Sequence, residues 1–322
     1  YAYEEAQECI DTQSGDYFQE LTLLNDLAKK IRKRRFDHGA VNFETVEVKF
    51  KLDEKGTPLG LFVKERKDIH KMIEEFMLLA NKYVAEFIFR KNQGADTFVY
   101  RTHDSPDLDR LETFSGFAKR FGHQVDISSE KKISTALNQL MEEIQGKPEQ
   151  NVLEQLAIRS MAKAKYTTEP KGHFGLAFPH YTHFTSPIRR YPDMMVHRLL
   201  EHYLDGGKSP DAEPWEQKCV HSSEREKRAA DAERASIKYK QVEYMSLAEA
   251  KDYEGIVSGV TEWGVFVEIT ETMRLIGTRS KKMITLGDKV VVRVVNTDID
   301  RRTIDLEFAD NDRKKPRSRA FN

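Results

Sequence analysis

The chain has 322 residues, enough for two or more domains with separate cores. Its 52 Lys and Arg against 53 Asp and Glu leave a formal charge of −1, so composition alone argues for no partner, and a nucleic-acid binder of this balance must gather its cations locally. Mean hydropathy is −0.65 and no apolar run approaches the roughly 20 residues of a membrane helix, which excludes a helical membrane protein. Cys9 and Cys219 stand far apart, offer no structural-zinc spacing and fit a reduced, cytoplasmic setting. The opening Tyr1-Ala2-Tyr3-Glu4-Glu5 has no methionine and no secretory signal, and reads as an internal cut.

Residues 1 to 36 read as helical, with Phe18, Leu21, Leu24, Ala28 and Ile31 at three- and four-residue steps and a basic end from Lys29 to Arg35. A hairpin follows: Val46, Val48, Phe50 and Leu52 alternate with polar residues, Asp53 to Gly56 supplies the turn, and Leu59 to Lys64 returns. Residues 68 to 90 form the clearest helix, apolar nearly all round at Met77, Leu78 and Leu79, hence expected to be buried on more than one side. Glu74 and Asn81 share one stripe of it, where a carboxylate needs a partner. Residues 95 to 148 read as mixed and surface-like, 149 to 165 and about 213 to 248 as helices. From Tyr253 to Phe308 the pattern turns to short strands, with a boundary near 249 to 252.

The densest stretch is His173 to Leu200. Thr185-Ser186-Pro187 reads as a helix start, Ser186 capping and Pro187 at the first helical position. Arg189 and Arg190 then fall in the first turn, where unpaired N–H groups already make the end positive. Asp193 can neutralise one arginine but not easily both, so a phosphate is the natural counter-ion for the other. Phe178, His180, Tyr181, His183 and Phe184 set rings beside this turn. Stacking bases is one use for them, and ordinary core is the plainer one.

The run His173-Phe174-Gly175-Leu176-Ala177, then His183 through Asp193 (His-Phe-Thr-Ser-Pro-Ile-Arg-Arg-Tyr-Pro-Asp), then His197-Arg198 resembles the signature of RNB-domain exoribonucleases of the RNase R / RNase II family, closer to RNase R. Asp37 to Glu44, Ile73 to Asn81 and Ala232-Glu233-Arg234 resemble further family segments in the same order. The resemblance implies an α+β fold. Residues 1–248 would be the carboxy-terminal portion of an RNB catalytic domain of mixed helices and antiparallel strands. Residues 249–311 would be a small all-β OB-fold barrel of the S-one type, and 312–322 a basic tail. It implies that Arg189 contacts the scissile phosphate as the catalytic residue, that Phe43 clamps the terminal base, and that Glu74 and Glu233 contact the 3′ end of the RNA. Without it, Phe43 could be core, Glu74 the partner of a lysine, and Glu233 a solvated charge. Arg190, Tyr191, Tyr253, Trp263 and Phe266 complete the expected RNA contacts, although Phe266 could equally be core.

The family cuts RNA with magnesium held by aspartates spaced D-x-x-x-x-x-D-x-D-D, and no such cluster exists in this sequence. Asp104, Asp107 and Asp109 lack that spacing and read as a surface loop. The metal ligands are expected upstream of residue 1, so the metal site of this chain is predicted as none. The stretch from Ile269 to Gly287 is short for the middle of an OB fold. The expectation is a monomeric part of a processive 3′-to-5′ exoribonuclease of single-stranded RNA, inactive without its amino-terminal catalytic half. The alternative is a noncatalytic RNA-binding scaffold.

Overall fold

A computed structural model describes residues 1–42, 47–64, 66–147, 149–261, 264–269, 284–285 and 287–309. The elements are α1 (Tyr3–Thr12), α2 (Phe18–Asp37), β1 (Glu47–Leu52), β2 (Pro58–Lys64), α3 (Asp68–Asn92), β3 (Tyr100–Thr102), α4 (Leu108–Arg120), α5 (Glu130–Glu143), α6 (Gln150–Ser160), β4 (Lys165–Thr167), α7 (Tyr191–Leu204), α8 (Glu213–Leu247), β5 (Asp252–Thr261), β6 (Gly264–Ile269), β7 (Lys289–Asp298) and β8 (Thr303–Phe308). The chain divides into two compact units, one of residues 1–44, 65–143 and 155–229, the other of 45–64, 144–154 and 230–322. No helix among the described residues is long and apolar enough to cross a membrane.

In the first unit the expected single amino-terminal helix is two. Gln13 and Tyr17 take left-handed backbone angles around Ser14-Gly15-Asp16, which breaks the 3.6-residue progression that Phe18 then restarts. Helix α3 packs on α1 and α2 through Ile69 and Met72, both 3% exposed. It packs on a second side through Ala85 and Ile88, so it is buried on more than one side as expected, while Ile73, Tyr83 and Phe87 leave one flank exposed.

The stretch expected to be surface-like, 95 to 148, is corrected. It builds α4 and α5 and sends Phe98, Val99 and Tyr100 to full burial. These three residues pack with Ala85 and Ile88 of α3, Tyr166 of β4, Met195, Val196 and Leu199 of α7, and Cys219 of α8. Phe98 to Tyr100 is too short a run for periodicity to reveal. Tyr203 anchors it by donating from its hydroxyl to the Thr97 carbonyl at 2.6 Å.

In the second unit β1 and β2 pair antiparallel as expected, with Lys49 opposite Phe62 and Lys51 opposite Gly60. The turn is closed by Asp53, whose Oδ1 accepts from Lys55 N (2.9 Å) and Thr57 N (2.7 Å), and by Gly56 at φ +80°. Strands β5 to β8 form one antiparallel sheet in the order β6-β5-β7-β8. Among the described residues this sheet is open, and no closed barrel is formed. Val257, Val265, Val267, Ile269, Val292, Ile304 and Leu306 line its core, joined by Val242 and Met245 of α8.

Candidate nucleic-acid interface

The segment from Tyr181 to Arg190 has no regular structure, so its shape comes from the groups that bind it. Asn81 of α3, 3% exposed, does most of this. Its Nδ2 donates to the Tyr181 hydroxyl at 3.0 Å, and its Oδ1 accepts from Phe184 N at 2.9 Å and Thr185 N at 3.2 Å. Thr182, fully buried, donates to the Val99 carbonyl at 2.7 Å. The Phe184 carbonyl lies 2.8 Å from His197 Nε2, and the two rings stack at 4.1 Å. A buried amide with three hydrogen-bond partners is expensive to misplace, so this network fixes where the following turn begins.

That turn differs from the expected helix start. Helix α7 begins at Tyr191, with Arg190 at the N-cap and Pro192 in the first turn. Ser186 does not cap it: the Ser186 carbonyl accepts from Arg189 N (3.3 Å) and Arg190 N (3.1 Å), closing a separate turn before the helix. The reason is the second proline. A helix begun at Pro187 would place Pro192 in its interior, where it lacks the N–H and clashes with the preceding turn. At the start of α7 the same residue costs nothing.

The two arginines are treated differently. Asp193, fully buried in the first turn of α7, accepts from Arg190 Nη2 at 2.8 Å and from Ser186 N at 2.8 Å, binding the turn to the helix. Arg189 is exposed and has no ion pair with any described residue. Beside it, Ile188 is 102% and Tyr191 52% exposed. Thr185 Oγ1 and Arg190 Nε are buried without a described partner. The arrangement is an outward guanidinium at a positive helix end, with the second arginine locked beneath it. It suits an anion with several oxygens.

Histidines under this segment are held neutral. His103 Nδ1 accepts from Gly175 N at 3.0 Å while its Nε2 faces the Ala162 carbonyl at 2.8 Å, so the proton sits on Nε2. Burial, aided by the nearby His103, lowers His173 to about 3. Burial and then Arg190 lower His183 to about 2, and its Nδ1 meets the Tyr166 hydroxyl at 2.8 Å. A base depressed in the folded state keeps its full contribution to stability above its unfolded value of 6.5 and loses it as pH falls toward the folded value. Stability is therefore expected to be flat above pH 7 and to drop below 6.5, by about 1.4 kcal/mol per pH unit for each such histidine. Urea unfolding at a series of pH values from 7.5 down to 5 measures this, and an unchanged free energy across that range would refute it.

The remaining expected residues scatter. Glu74 is part-exposed and pairs with Arg66; its neighbour Glu75 is the carboxylate that turns fully inward, paired with Arg35. Arg189, Arg190, Tyr191 and Glu74 belong to the first unit, and Glu233, Tyr253 and Phe266 to the second. Glu233 is exposed on α8. Tyr253, expected to stack on RNA, is corrected: at 3% exposure it is core, in phase with Val257. Phe266 is half-buried and lies over Gly259, its cross-strand partner. Phe43, Trp263 and the basic tail fall outside the described residues. Asp107 caps α4 through Arg110 N at 3.1 Å, and Asp104 faces Lys165 at 3.7 Å, as a surface loop would. Among the described residues no group of three or more His, Cys, Asp or Glu is placed to hold a metal ion, so the magnesium of such nucleases does not fit them. Asn81 was missed as a positioning residue, although an amide on an apolar helix stripe is a legible sign of a buried polar task.

Ribonuclease R 1 of Lactococcus lactis subsp. lactis (strain IL1403) is 38% identical over 312 residues, covering 88% of this chain and 37% of that protein. Ribonuclease R of Aquifex aeolicus (strain VF5) is 33% identical over 325 residues, covering 93% of this chain and 45% of that protein. The chain thus spans less than half the length of these curated relatives. The structure of Mycoplasma genitalium RNase R in complex with ribose methylated single-stranded RNA shares the fold with a TM-score of 0.84 at 22% identity, over 95% of this chain and 53% of that one. The family model of the RNB domain matches residues 1–206, which hold α1 to α7 and the whole Tyr181–Arg190 segment, and the chain therefore belongs to the RNB domain family.

Proposed function

We propose that this chain is the RNA-gripping part of a processive 3′-to-5′ exoribonuclease that degrades single-stranded RNA to nucleoside 5′-monophosphates by metal-assisted hydrolysis. The observation that carries the proposal is the exposed Arg189, without an ion pair to any described residue, beside an Arg190 already neutralised by Asp193. One cation is structural and the other is left for a phosphate. In this reading Arg189 contacts the scissile phosphate, Arg190 shapes the turn, and Tyr191 lies alongside the strand. Glu74, Glu233 and Phe43 act toward the 3′-terminal nucleotide, and Trp263 and Phe266 offer rings for stacking. The β5–β8 sheet is the described part of an S-one-type OB fold.

Magnesium belongs to the intact enzyme, on aspartates this chain does not supply, and the isolated chain binds RNA without cutting it. It acts as a monomer in the cytoplasm. A second reading, a noncatalytic RNA-binding scaffold, draws on the lack of a metal-binding group among the described residues. Titrating the chain with a labelled single-stranded RNA at rising salt tests the shared premise. Affinity is expected to fall linearly on a log–log plot, and Arg189→Ala to flatten the slope by about 0.7. Salt-independent or absent binding would defeat both readings. Magnesium-dependent release of mononucleotides by the full-length protein, abolished by chelation, decides for the enzyme over the scaffold.

A further inference from the structure

We infer that the outer face of the β1–β2 ribbon is a second binding site for single-stranded RNA, built from Lys49, Lys51 and Phe62 beside the open position at Gly60. The inference rests on the proposal that the chain binds such RNA.

The register sorts the ribbon into two faces, because paired residues point the same way and successive residues point oppositely. One face carries Val48, Phe50 and Leu52 with Leu61 and Val63. It is anchored within its own unit: the Phe50 ring meets Tyr244 of α8 at 6.0 Å, and Lys240 Nζ donates to the Gly56 carbonyl in the turn at 2.5 Å. The opposite face carries Lys49 and Lys51, both exposed, with Phe62 at 39% exposure directly across from Lys49, and it ends where Glu47 stands opposite Lys64 in the register.

Three features make this more than a solvated strand face. Lys49 and Lys51 stand two residues apart, about 6.8 Å along the strand, a step close to that between neighbouring phosphates of an extended single strand. Phe62 offers an aromatic surface flanked by these cations, the combination that holds single-stranded nucleic acid without reading its sequence. Gly60, opposite Lys51 and two residues from Phe62, has nothing within 4 Å of where a Cβ would lie, so the floor beside the ring is open. A base can lie against Phe62 over Gly60 while its flanking phosphates meet Lys49 and Lys51. Helix α8 and the turn hold the ribbon from its far side, so the contact needs no rearrangement of the hairpin.

The competing account is that the lysines only blunt the edges of a two-stranded ribbon against aggregation. Fluorescence anisotropy of the whole chain with a labelled oligouridine of 12 nucleotides separates the two. Phe62→Ala is expected to weaken binding about tenfold, Phe62→Tyr to keep it, and Lys49→Ala with Lys51→Ala to lower the salt slope by about 1.4. Gly60→Val, which fills the open position, is expected to mimic Phe62→Ala, with unchanged circular dichroism as the folding control. If the parent chain binds this RNA and all these variants bind it equally, the ribbon site is refuted while the Arg189 reading stands. If the lysine variants aggregate yet bind normally, edge protection is their role and the inference is again overturned. If the parent chain does not bind at all, the underlying proposal fails with it.

Discussion

Glu75→Ala is expected to destabilise the chain by about 3–5 kcal/mol. Glu75 and Arg35 are 2% and 8% exposed, and the carboxylate takes both Arg35 Nη2 at 2.5 Å and Arg35 Nε at 3.3 Å. Alanine removes the acceptor and leaves a guanidinium buried between α2 and α3 with no counter-charge, which costs far more than the pair itself contributes. The sign of the double substitution is the sharper test. Replacing both residues with apolar ones of similar size, Arg35→Met with Glu75→Leu, is expected to recover most of the loss. Chemical denaturation of the four proteins measures it. A single-variant loss under about 1 kcal/mol, or a double variant worse than the single, would show that the pair is not what holds the two helices.

This pair also marks what could and could not be read from the sequence. The apolar stripe of α3 was plain, and so was the need of a carboxylate on it for a partner. Which of two adjacent glutamates turns inward was not, because the answer depends on Arg35, 40 residues away and on another helix. Local pattern found the hairpin, the long helix α8 and the four carboxy-terminal strands, since each repeats its period over several residues. It failed where a few residues decide. Phe98 to Tyr100 form a buried centre shorter than any period, and Gln13 and Tyr17 break a helix through backbone angles that their side chains do not announce. Tyr253 was legible after all: strand alternation puts it in phase with Val257, and that phase outweighs the usual taste for reading a tyrosine as a stacking ring.

The cationic turn was legible in composition but not in geometry. Two arginines and one aspartate within five residues announced that one positive charge would be left over. Pro192 announced that the helix could not start at Pro187, a signal present in the sequence and outweighed there by the stronger-looking Ser-Pro pair. The Asn81 network needed a contact across more than 100 residues and lay beyond any local rule.

Arg189→Ala in the full-length protein is expected to cut RNA turnover by roughly 10²–10³ while changing affinity much less. The two arginines have separate fates. Arg190 is held by Asp193 and cannot answer charge that develops later, whereas Arg189 has no carboxylate among the described residues to leave. As a scissile phosphate gains charge on its oxygens, a free guanidinium already aimed outward strengthens its hydrogen bonds without first breaking others, which lowers the barrier more than it tightens the ground state. Arg189→Lys keeps the charge and loses the planar fork, so it is expected to fall between. Arg190→Ala should behave differently: it strips the counter-charge from a fully buried Asp193, leaving only the Ser186 N–H, and loosens the turn, lowering stability together with activity. Single-turnover cleavage beside equilibrium binding separates these cases. Equal losses of affinity and rate in Arg189→Ala would reduce that residue to a docking contact and remove the reason for placing the reacting phosphate there.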